Sequence, residues 1–196
     1  REVSEALEHQ TATAEILRVI ARSRSDMRPV FDTIGERAAR LCDAQVAVVS
    51  QVSGERLELV AVHGMSEVAT ASVAAYFPMR LDAEATSART WRARAVVDIP
   101  DVMADATYAP KDAAGAAGWR AGTGVPMFLD GQVVGVIFVG RTLPGPLAPS
   151  KLDLLRTFAD QAVIAIENAR LFNEIERRNR EVSEALEHQT ATAEIL

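Results

Sequence analysis

The sequence predicts an α+β domain in which two antiparallel β-hairpins are accompanied by helices, and three observations predict it. The segments QVAVVSQV and RLELVAVHG, residues 45–52 and 56–64, are rich in alternating β-branched residues and are joined by SGE, as is typical of a hairpin. A second pair, WRAGTGVPMFL and QVVGVIFVG, flanks Asp130-Gly131, the strongest short hairpin signal in the chain. Residues 151–196 contain neither Gly nor Pro, so a final helix of up to 46 residues, about 70 Å long, is expected.

Length and composition indicate one globular domain without a nucleic-acid or membrane partner. The chain has 196 residues, of which 48% are hydrophobic and 24% charged, and its net charge is −6. Nucleic-acid affinity depends largely on a basic face, and no apolar run approaches the roughly 20 residues that cross a bilayer. The single cysteine, Cys42, cannot form an intrachain disulfide, which favours a reducing cytoplasm.

The chain begins and ends with the same peptide. Residues 1–17 and 180–196 both read REVSEALEHQTATAEIL, which gives a repeat period of 180 − 1 = 179 residues. We therefore expect one slice of a tandem array, natural or engineered. Its parts are a linker helix at 1–22, a domain at 23–172, and a linker helix at 173–196 that continues into the next unit.

The elements between the linkers follow in order. Ser25 or Asp26 is expected to cap a helix that runs to about Ala44, with Pro29 in its first turn and an apolar face of Val30, Phe31, Ile34, Ala38 and Leu41. After the first hairpin, residues 65–95 predict two short helices broken around Pro78. AVVDIPDV predicts a strand, and MADATYAPKDAAGAAG, residues 103–118, predicts an irregular or partly helical flap.

The final helix carries two apolar stripes. Ser150 is expected to cap it, with Asp153 completing a capping box. One stripe, Leu155, Ala159, Ala162, Ile166 and Ala169, is expected to lie on the sheet. The other continues into the linker with coiled-coil spacing, so we predict a dimer seam there rather than a solvated helix with scattered apolar residues. Its residues, with those of the first linker, are Val3, Leu7, Leu17, Phe158, Ala165, Phe172, Ile175, Val182 and Leu186.

This layout resembles the GAF domains that stand in tandem before bacterial histidine kinases and nucleotide cyclases. The similarity is most specific in TFADQAVIAIENARLFNEI, residues 157–175, and is supported by MRPVFDTIGERAARLCDAQVAVV and VPMFLDGQVVGVIFVGR. The resemblance implies a central antiparallel sheet with terminal helices on one face. It implies a ligand pocket, formed by short helices and the flap, on the other face. GAF domains bind cyclic nucleotides, bilins or haem, or bind nothing and serve as dimerising spacers.

The residues needed for most specific chemistries are missing from the sequence. His9 and His188 occupy the same repeat position, which leaves one Cys and one distinct His, His63, in the domain; this argues against a metal site, a thiolate–imidazole pair and an enzyme. Cys42 lies in the wrong helix for bilin attachment and precedes Asp43, and the Asn-Lys signature of cyclic-nucleotide binders is absent. Glycines 115, 118, 122 and 124 suggest a flexible flap rather than a phosphate cradle, and DIPD suggests turn hydrogen bonds.

If a pocket exists, aromatic residues of the pocket-side elements are expected to line it, and Arg120 and Thr123 to hold a polar group. The candidates are Tyr76, Phe77, Trp91, Tyr108, Trp119, Arg120, Thr123 and Phe128. The alternative is that the aromatic side chains fill the cavity themselves. The ligand stays unidentified.

The expected function is a non-catalytic sensory and relay module. It would associate as a parallel homodimer and with neighbouring repeats. Polar seam residues Gln161, Asn168, Asn179 and Gln189 would permit alternative packings through which a twist or register change passes along the array. The alternative is a structural rod or filament of near-identical units without a ligand.

Overall fold

The computed structural model of the chain describes residues 27–193, with side chains as far as residue 183. The predicted linker helix 1–22, and with it Val3, Leu7 and Leu17 of the predicted seam, lies outside the described residues. The side chain of Leu186 lies outside them too. No helix in the described part of the chain combines the length and the apolar character that a bilayer crossing requires.

A single six-stranded sheet forms the centre of the domain, and all of its strand pairs are antiparallel. In space the strands are ordered β3-β2-β1-β6-β5-β4. Their bounds are β1 Val46–Ser53, β2 Arg56–His63, β3 Met79–Arg80, β4 Val97–Ile99, β5 Ala121–Leu129 and β6 Gln132–Arg141.

Both predicted hairpins are confirmed. The β1–β2 pairing closes at Ser53 and Arg56, and the β5–β6 pairing closes at Leu129 and Gln132. Asp130 and Gly131 have φ of 48° and 74°, the left-handed values that a two-residue hairpin turn of the primed type needs at both central positions. The hairpins meet along β1 and β6, so they form one continuous sheet.

Five helices surround the sheet: α1 Arg28–Leu41, α2 Glu67–Ala74, α3 Thr86–Ala93, α4 Lys111–Ala117 and α5 Pro149–Ala193. The short helices α2 and α3 lie on either side of Pro78, as predicted, and α4 lies in the flap. Strand β3, between α2 and α3, was not predicted, because two residues are too short for a pattern to show.

The terminal helices α1 and α5 cover one face of the sheet, as the resemblance implies. Val49, Val125 and Ile137 point from three strands into a core that also contains Leu155 and Phe158 of α5. Burial of one such side chain contributes about 1.5–3 kcal/mol. The neighbouring residues on the strands point to the other face, where α2, α3 and the flap pack in two further clusters.

The predicted cap residues of α1, Ser25 and Asp26, lie outside the described residues; the N-cap that the structure shows is Met27, whose side chain makes no capping hydrogen bond, and Pro29 lies in the first turn. The predicted cap of α5 is wrong. Helix α5 begins at Pro149, so Ser150 is its second residue; proline suits a first helical position, where its missing N–H costs nothing. Asp153 then forms an ion pair with Arg156, at 3.1 Å, instead of closing a capping box.

Helix α1 ends at Leu41, three residues before the predicted end. Cys42 is the C-cap, and Asp43 adopts a positive φ of 48° that turns the chain towards β1. The predicted apolar face is otherwise confirmed, since Val30, Phe31, Ile34 and Ala38 are buried. Asp43 also pairs with Lys151 at 3.0 Å, which ties the end of α1 to the start of α5.

Helix α5 extends beyond the domain, as predicted. All five residues of the first predicted stripe are buried, but no described side chain after Ala169 is. From there to Ala193 the helix continues for 24 residues, about 36 Å. Glu174 pairs with Arg177 and Arg178 at helical spacing, which supports an exposed helix by a few tenths of a kcal/mol per pair.

The structure moves part of the predicted seam into the domain core. Phe158 is 1% exposed and Ala165 is also buried, so neither offers a surface to a second chain. The large apolar residues that α5 does expose are Ile164, Leu171, Phe172, Ile175 and Val182. Phe172, Ile175 and Val182 of the predicted seam are thus exposed, and Ile164 and Leu171, which were not part of it, are exposed beside them.

Candidate functional site

A small cavity lies on the sheet face opposite α1 and α5. Its floor is formed by Val48 of β1 and Phe138 of β6, its walls by α2 and α3, and its roof by Tyr108 of the flap. The volume inside the cavity that the centre of a water molecule can occupy is about 30 Å³. One or two waters fit such a space, so the surrounding side chains fill most of the pocket themselves.

Four of the eight predicted pocket residues line this cavity: Tyr76, Phe77, Tyr108 and Trp119. Trp119 packs edge-to-face on Phe138, with ring centroids 5.4 Å apart. This aromatic wall is the strongest part of the sequence prediction, and it arises because the ends of α2 and α4 meet over the middle of the sheet.

The other four predicted residues lie elsewhere. Trp91 is half-buried at the far end of α3. Phe128 lies under the guanidinium of Arg94, 5.9 Å from ring centre to Cζ. The exposed Arg120 forms an ion pair with Asp101 at 2.5 Å.

Thr123, the last of these four, points away from the cavity. It follows the same alternation as Val125 and Met127, whose side chains lie in the core under α1 and α5. There its hydroxyl donates to Asp98 at 2.6 Å. Arg120 and Thr123 therefore do not hold a polar group in the pocket.

Sequence reasoning missed the contribution of α3, whose residues Thr86 and Ser87 line the cavity. Helix α3 lies close to β5 because Gly122 and Gly124 have no side chains on that face. A Cβ on Gly124 would lie 2.2 Å from Thr90 Oγ1, and one on Gly122 would lie 2.7 Å from Phe138 Cε2. Gly122 and Gly124 therefore belong to strand β5 and not to the flap. In the sequence, the alternation Gly-Thr-Gly indicates that another element packs closely against this strand.

Three polar groups meet at the cavity: the hydroxyls of Tyr108 and Thr86 and the indole N–H of Trp119. Burial raises the pKa of Tyr108, and polar contacts with Thr86 and Trp119 oppose that rise only in part. Neither contact has the geometry of a hydrogen bond. Among the described residues, neither Thr86 Oγ1 nor Trp119 Nε1 has a hydrogen-bond partner, although both atoms are buried.

Charged hydrogen bonds hold the flap over the cavity. Arg89 of α3 binds Glu84 at 2.8 Å and Thr107 at 2.7 Å, and it also binds Asp105. The Arg89 guanidinium holds the pKa of Asp105 well below its usual range. At the other end of the flap, the Tyr76 hydroxyl donates to Asp112, and this bond raises the pKa of Tyr76 to about 12.

A second group of hydrogen bonds joins β4 to the loop before α5. Asp98 accepts from Thr123 Oγ1 at 2.6 Å and from the Leu147 N–H at 3.0 Å. Arg141 lies 3.7 Å from Asp98 and donates to the Gly145 carbonyl at 2.7 Å. The predicted hydrogen-bonding role of DIPD is confirmed, since Asp98 fixes this loop and Asp101 accepts from the Met103 N–H at 3.0 Å.

The residues considered for chemistry at the sequence level lie apart from the cavity. Cys42 is buried at the C-terminal end of α1, and burial raises the pKa of its thiol to about 12. His63 is half-buried at the end of β2. Within residues 27–183 there is no group of three or more His, Cys, Asp or Glu side chains that could hold a metal ion.

The fold is shared with solved structures of low sequence identity. The GAF domain of a phosphoenolpyruvate-protein phosphotransferase from Coxiella burnetii is 12% identical and superimposes with a TM-score of 0.68, covering 85% of this chain and 96% of that one. The corresponding domain from Acinetobacter is 18% identical, with a TM-score of 0.63 and coverages of 83% and 95%.

An enzyme also shares this fold. The free methionine-R-sulfoxide reductase from Neisseria meningitidis, solved with its substrate, is 16% identical and has a TM-score of 0.61, covering 86% of this chain and 93% of that one. No curated protein matches the sequence. At such identities the likeness extends to the fold alone.

The sequence itself matches the family model described as GAF domain over residues 25–167. That range holds the whole sheet, the cavity with its flap, and the part of α5 that covers the sheet. The expected GAF fold, with terminal helices on one face and short helices and a flap on the other, is confirmed. The chain belongs to the GAF domain family.

Proposed function

We propose that this chain is a non-catalytic sensory and relay module of a tandem array. In this proposal the pocket side of the sheet receives a small molecule. Helix α5, paired with its counterpart in a parallel homodimer, passes the resulting change to the next unit. The observation that carries the proposal is a short hydrogen-bonded route from the flap to the start of α5.

The route runs through β4. On the flap side, Asp101 is bound by Arg120, and the Val102 N–H donates to the Arg120 carbonyl at 2.7 Å. On the helix side, the Pro100 carbonyl accepts from the Gly145 N–H at 2.8 Å. A displacement of the flap therefore acts on the same few residues that position the loop before α5.

Asp98 is the most constrained group on this route. Its two oxygens accept from Thr123 and Leu147, and Arg141 stands 3.7 Å away. Hydrogen bonds to a charged acceptor contribute about 1.5–3 kcal/mol each, more than neutral ones. Such a connection is stiff enough to transmit a small movement rather than absorb it.

The outward face of α5 supports the proposed dimer. We call Ile164, Asn168, Leu171, Ile175 and Val182 the outer ridge. Their spacing of four, three, four and seven residues is that of a and d positions in a heptad. Ile164 is 61% and Val182 67% exposed, and each such side chain would gain about 1.5–3 kcal/mol from full burial against a partner.

Asn168 gives the ridge a polar position. A single polar residue at an a position lowers coiled-coil stability but specifies register. Because the interface is weakened while its register is fixed, the two helices could rotate or tilt against each other at a low free-energy cost, and such adjustable interfaces are what allosteric transitions use. This is the property that a relay needs.

The relay is tested by overfilling the pocket and measuring the distance between the two helices. Spin labels are attached at Asn179→Cys in a Cys42→Ala background, and the label-to-label distance is measured by pulsed electron resonance. Ala113, which lines the cavity, is replaced by Leu. The control is Gly115→Ala, on the exposed side of the same helix.

We expect Ala113→Leu to shift the distance distribution and Gly115→Ala to leave it unchanged. Adding Asp98→Asn should reduce the shift, because Asp98 connects β4 to the loop before α5. An unchanged distribution in a folded Ala113→Leu dimer would refute the relay. A chain that is monomeric at micromolar concentration would refute the dimer.

The second candidate is a structural rod without a ligand. Two observations favour it: the verbatim repeat of residues 1–17 at 180–196, and the small volume, about 30 Å³, that the pocket leaves open. Electron microscopy of a longer natural segment would separate the two functions. A stiff filament of regular units whose Ala113→Leu variant is indistinguishable would favour the rod.

A further inference from the structure

The pocket contains a hydrogen-bond donor that nothing in the described structure satisfies. Trp119 is 4% exposed, its side chain lines the cavity, and its Nε1 atom has no acceptor among the described residues. An indole N–H can only donate. The Tyr108 hydroxyl lies beside this donor without forming a hydrogen bond to it. A buried donor without an acceptor is unfavourable, so a well-placed acceptor atom is what this site lacks.

The hydroxyl of Thr86 is in the same situation. Thr86 is 1% exposed, and its Oγ1 has no hydrogen-bond partner among the described residues. Both atoms lie beside the Tyr108 hydroxyl, so three polar groups converge in a cavity whose other lining side chains, apart from Tyr76 and Ser87, are apolar. One oxygen atom placed there has two lone pairs and could accept from both Trp119 Nε1 and Thr86 Oγ1.

No side chain that lines the cavity is charged. Arg89 does not line the cavity, and its guanidinium is engaged by Glu84, Asp105 and Thr107. An ionised ligand would therefore lose its hydration without gaining a counter-charge, which is strongly unfavourable. The site selects against phosphates and carboxylates.

The size of the ligand is limited by how far the flap can move outward. In the described conformation there is room for one or two waters. On the flap side only Tyr108, Pro110 and Ala113 face the cavity, while the bonds of Arg89 and Tyr76 hold the flap at its rim. Any ligand larger than two waters therefore needs an outward shift of the flap, and the rim bonds favour a small one.

We infer that the pocket binds a small uncharged molecule with an apolar body and one carbonyl or hydroxyl oxygen, which accepts from the indole of Trp119 and the hydroxyl of Thr86. This inference rests on the proposed function, since it names the class of ligand that the sensory pocket takes. Cyclohexanone is a probe of this class. Methylenecyclohexane has the same shape without the oxygen, and cyclohexanecarboxylate adds a charge.

The test follows the indole N–H proton of Trp119 by nitrogen-15 NMR in the full chain. The chain has two tryptophans, and Trp91→Phe assigns the signal of Trp119. We expect cyclohexanone to move this proton downfield in a saturable manner. Methylenecyclohexane should bind about a hundredfold more weakly, without the downfield shift, because it lacks the oxygen that accepts both hydrogen bonds, each of which contributes about tenfold. Cyclohexanecarboxylate should not bind.

Thr86→Val, which keeps the shape of the side chain, should weaken cyclohexanone about tenfold and leave methylenecyclohexane unchanged. Equal affinity for the ketone and the hydrocarbon, tighter binding of the carboxylate, or no saturable shift with cyclohexanone would each overturn the inference. If Thr86→Val does not fold, the comparison of the three probes on the unsubstituted chain still decides.

The two proposals can fail separately. If a charged molecule occupies the pocket and changes the label-to-label distance across α5, the ligand class is wrong and the relay stands. If cyclohexanone binds as expected without changing that distance, the ligand class stands and the relay is wrong.

Discussion

Replacing Gly124 with alanine should destabilise the domain by crowding the contact between α3 and β5. A Cβ at this position would lie 2.2 Å from Thr90 Oγ1 and 3.2 Å from both Thr90 Cβ and Thr86 Cγ2. Ordinary van der Waals contact begins at 3.4 Å, so Thr90 Oγ1 must retreat by 3.4 − 2.2 = 1.2 Å. Thr90 is fully buried, which leaves its hydroxyl little room to rotate away.

The expected loss of stability is that of an overpacked interior. Overpacking of a well-filled interior typically costs about 1–3 kcal/mol, and here both the hydroxyl and two carbon atoms are too close. We therefore expect Gly124→Ala to lower the free energy of unfolding by about 2 kcal/mol. Because α3 also carries Thr86, the variant should move one wall of the pocket as well.

The assay is urea unfolding followed by tryptophan fluorescence, applied to a double-mutant cycle with Thr90→Ala. Removing the Thr90 hydroxyl deletes the atom of closest approach, which is also a buried hydroxyl without a hydrogen-bond partner among the described residues. The double variant should therefore recover at least about 0.5 kcal/mol relative to the sum of the single variants.

Gly115→Ala is the matched control. Gly115 is exposed on α4, and a Cβ there would meet no atom within 4 Å. Since alanine is the better helix former, this variant should be neutral or more stable by up to about 1 kcal/mol. If Gly124→Ala were as stable as Gly115→Ala, or if Thr90→Ala gave no recovery, the close approach of α3 to β5 would be refuted.

Two further predictions follow from ionisable groups. The Arg89 ion pair holds the pKa of Asp105 well below its usual range, so its stabilisation is present above pH 4 and is lost as pH falls through the folded-state value. Asp105→Asn should thus lower the free energy of unfolding by about 1 kcal/mol at pH 6, and this difference should shrink below pH 4; a constant difference would contradict the assignment. Burial raises the pKa of Cys42 to about 12, so iodoacetamide should not label the native chain at pH 8 but should label it in urea. The native state should also lose stability above about pH 8.5, where only the unfolded thiol ionises, and Cys42→Ala should lack this loss; rapid native labelling would show that the thiol is exposed.

The sheet could be predicted from local sequence because its strongest signals are local. Asp130-Gly131 both prescribes a turn and fixes which residues on β5 and β6 are opposite each other. The residues that cap the helices are harder to predict from the sequence, because a helix can begin at any of several neighbouring residues. Around the start of α5, Ser150 is a better capping residue than Ala148, but Pro149 fits the first helical position, and α5 begins there.

Only half of the predicted pocket residues line the cavity, because the prediction used residue type and not the direction in which each side chain points. An aromatic residue near the flap has a fair chance of lining a cavity, and Tyr108 and Trp119 do. Which face a strand residue occupies depends on the register of the whole sheet. Thr123 was assigned to the pocket, but it lies between two pocket-facing glycines and therefore points to the opposite core.

The position of the outer ridge shows the same dependence on tertiary structure. Heptad spacing in α5 fits two faces that differ by one residue, and both contain Asn168, Ile175 and Val182. The sheet takes Phe158 and Ala165 into its core, which leaves the face with Ile164 and Leu171 for a partner. In the proposed dimer, the first contact that α5 makes with a second chain is then at Ile164, on the opposite side of the helix from Ala162 and Ile166, which pack on the sheet. A change that enters at the start of α5 would reach this contact through the rigid helix. Because Ile164 is exposed, substitutions there should alter the proposed dimer without altering the fold of the domain.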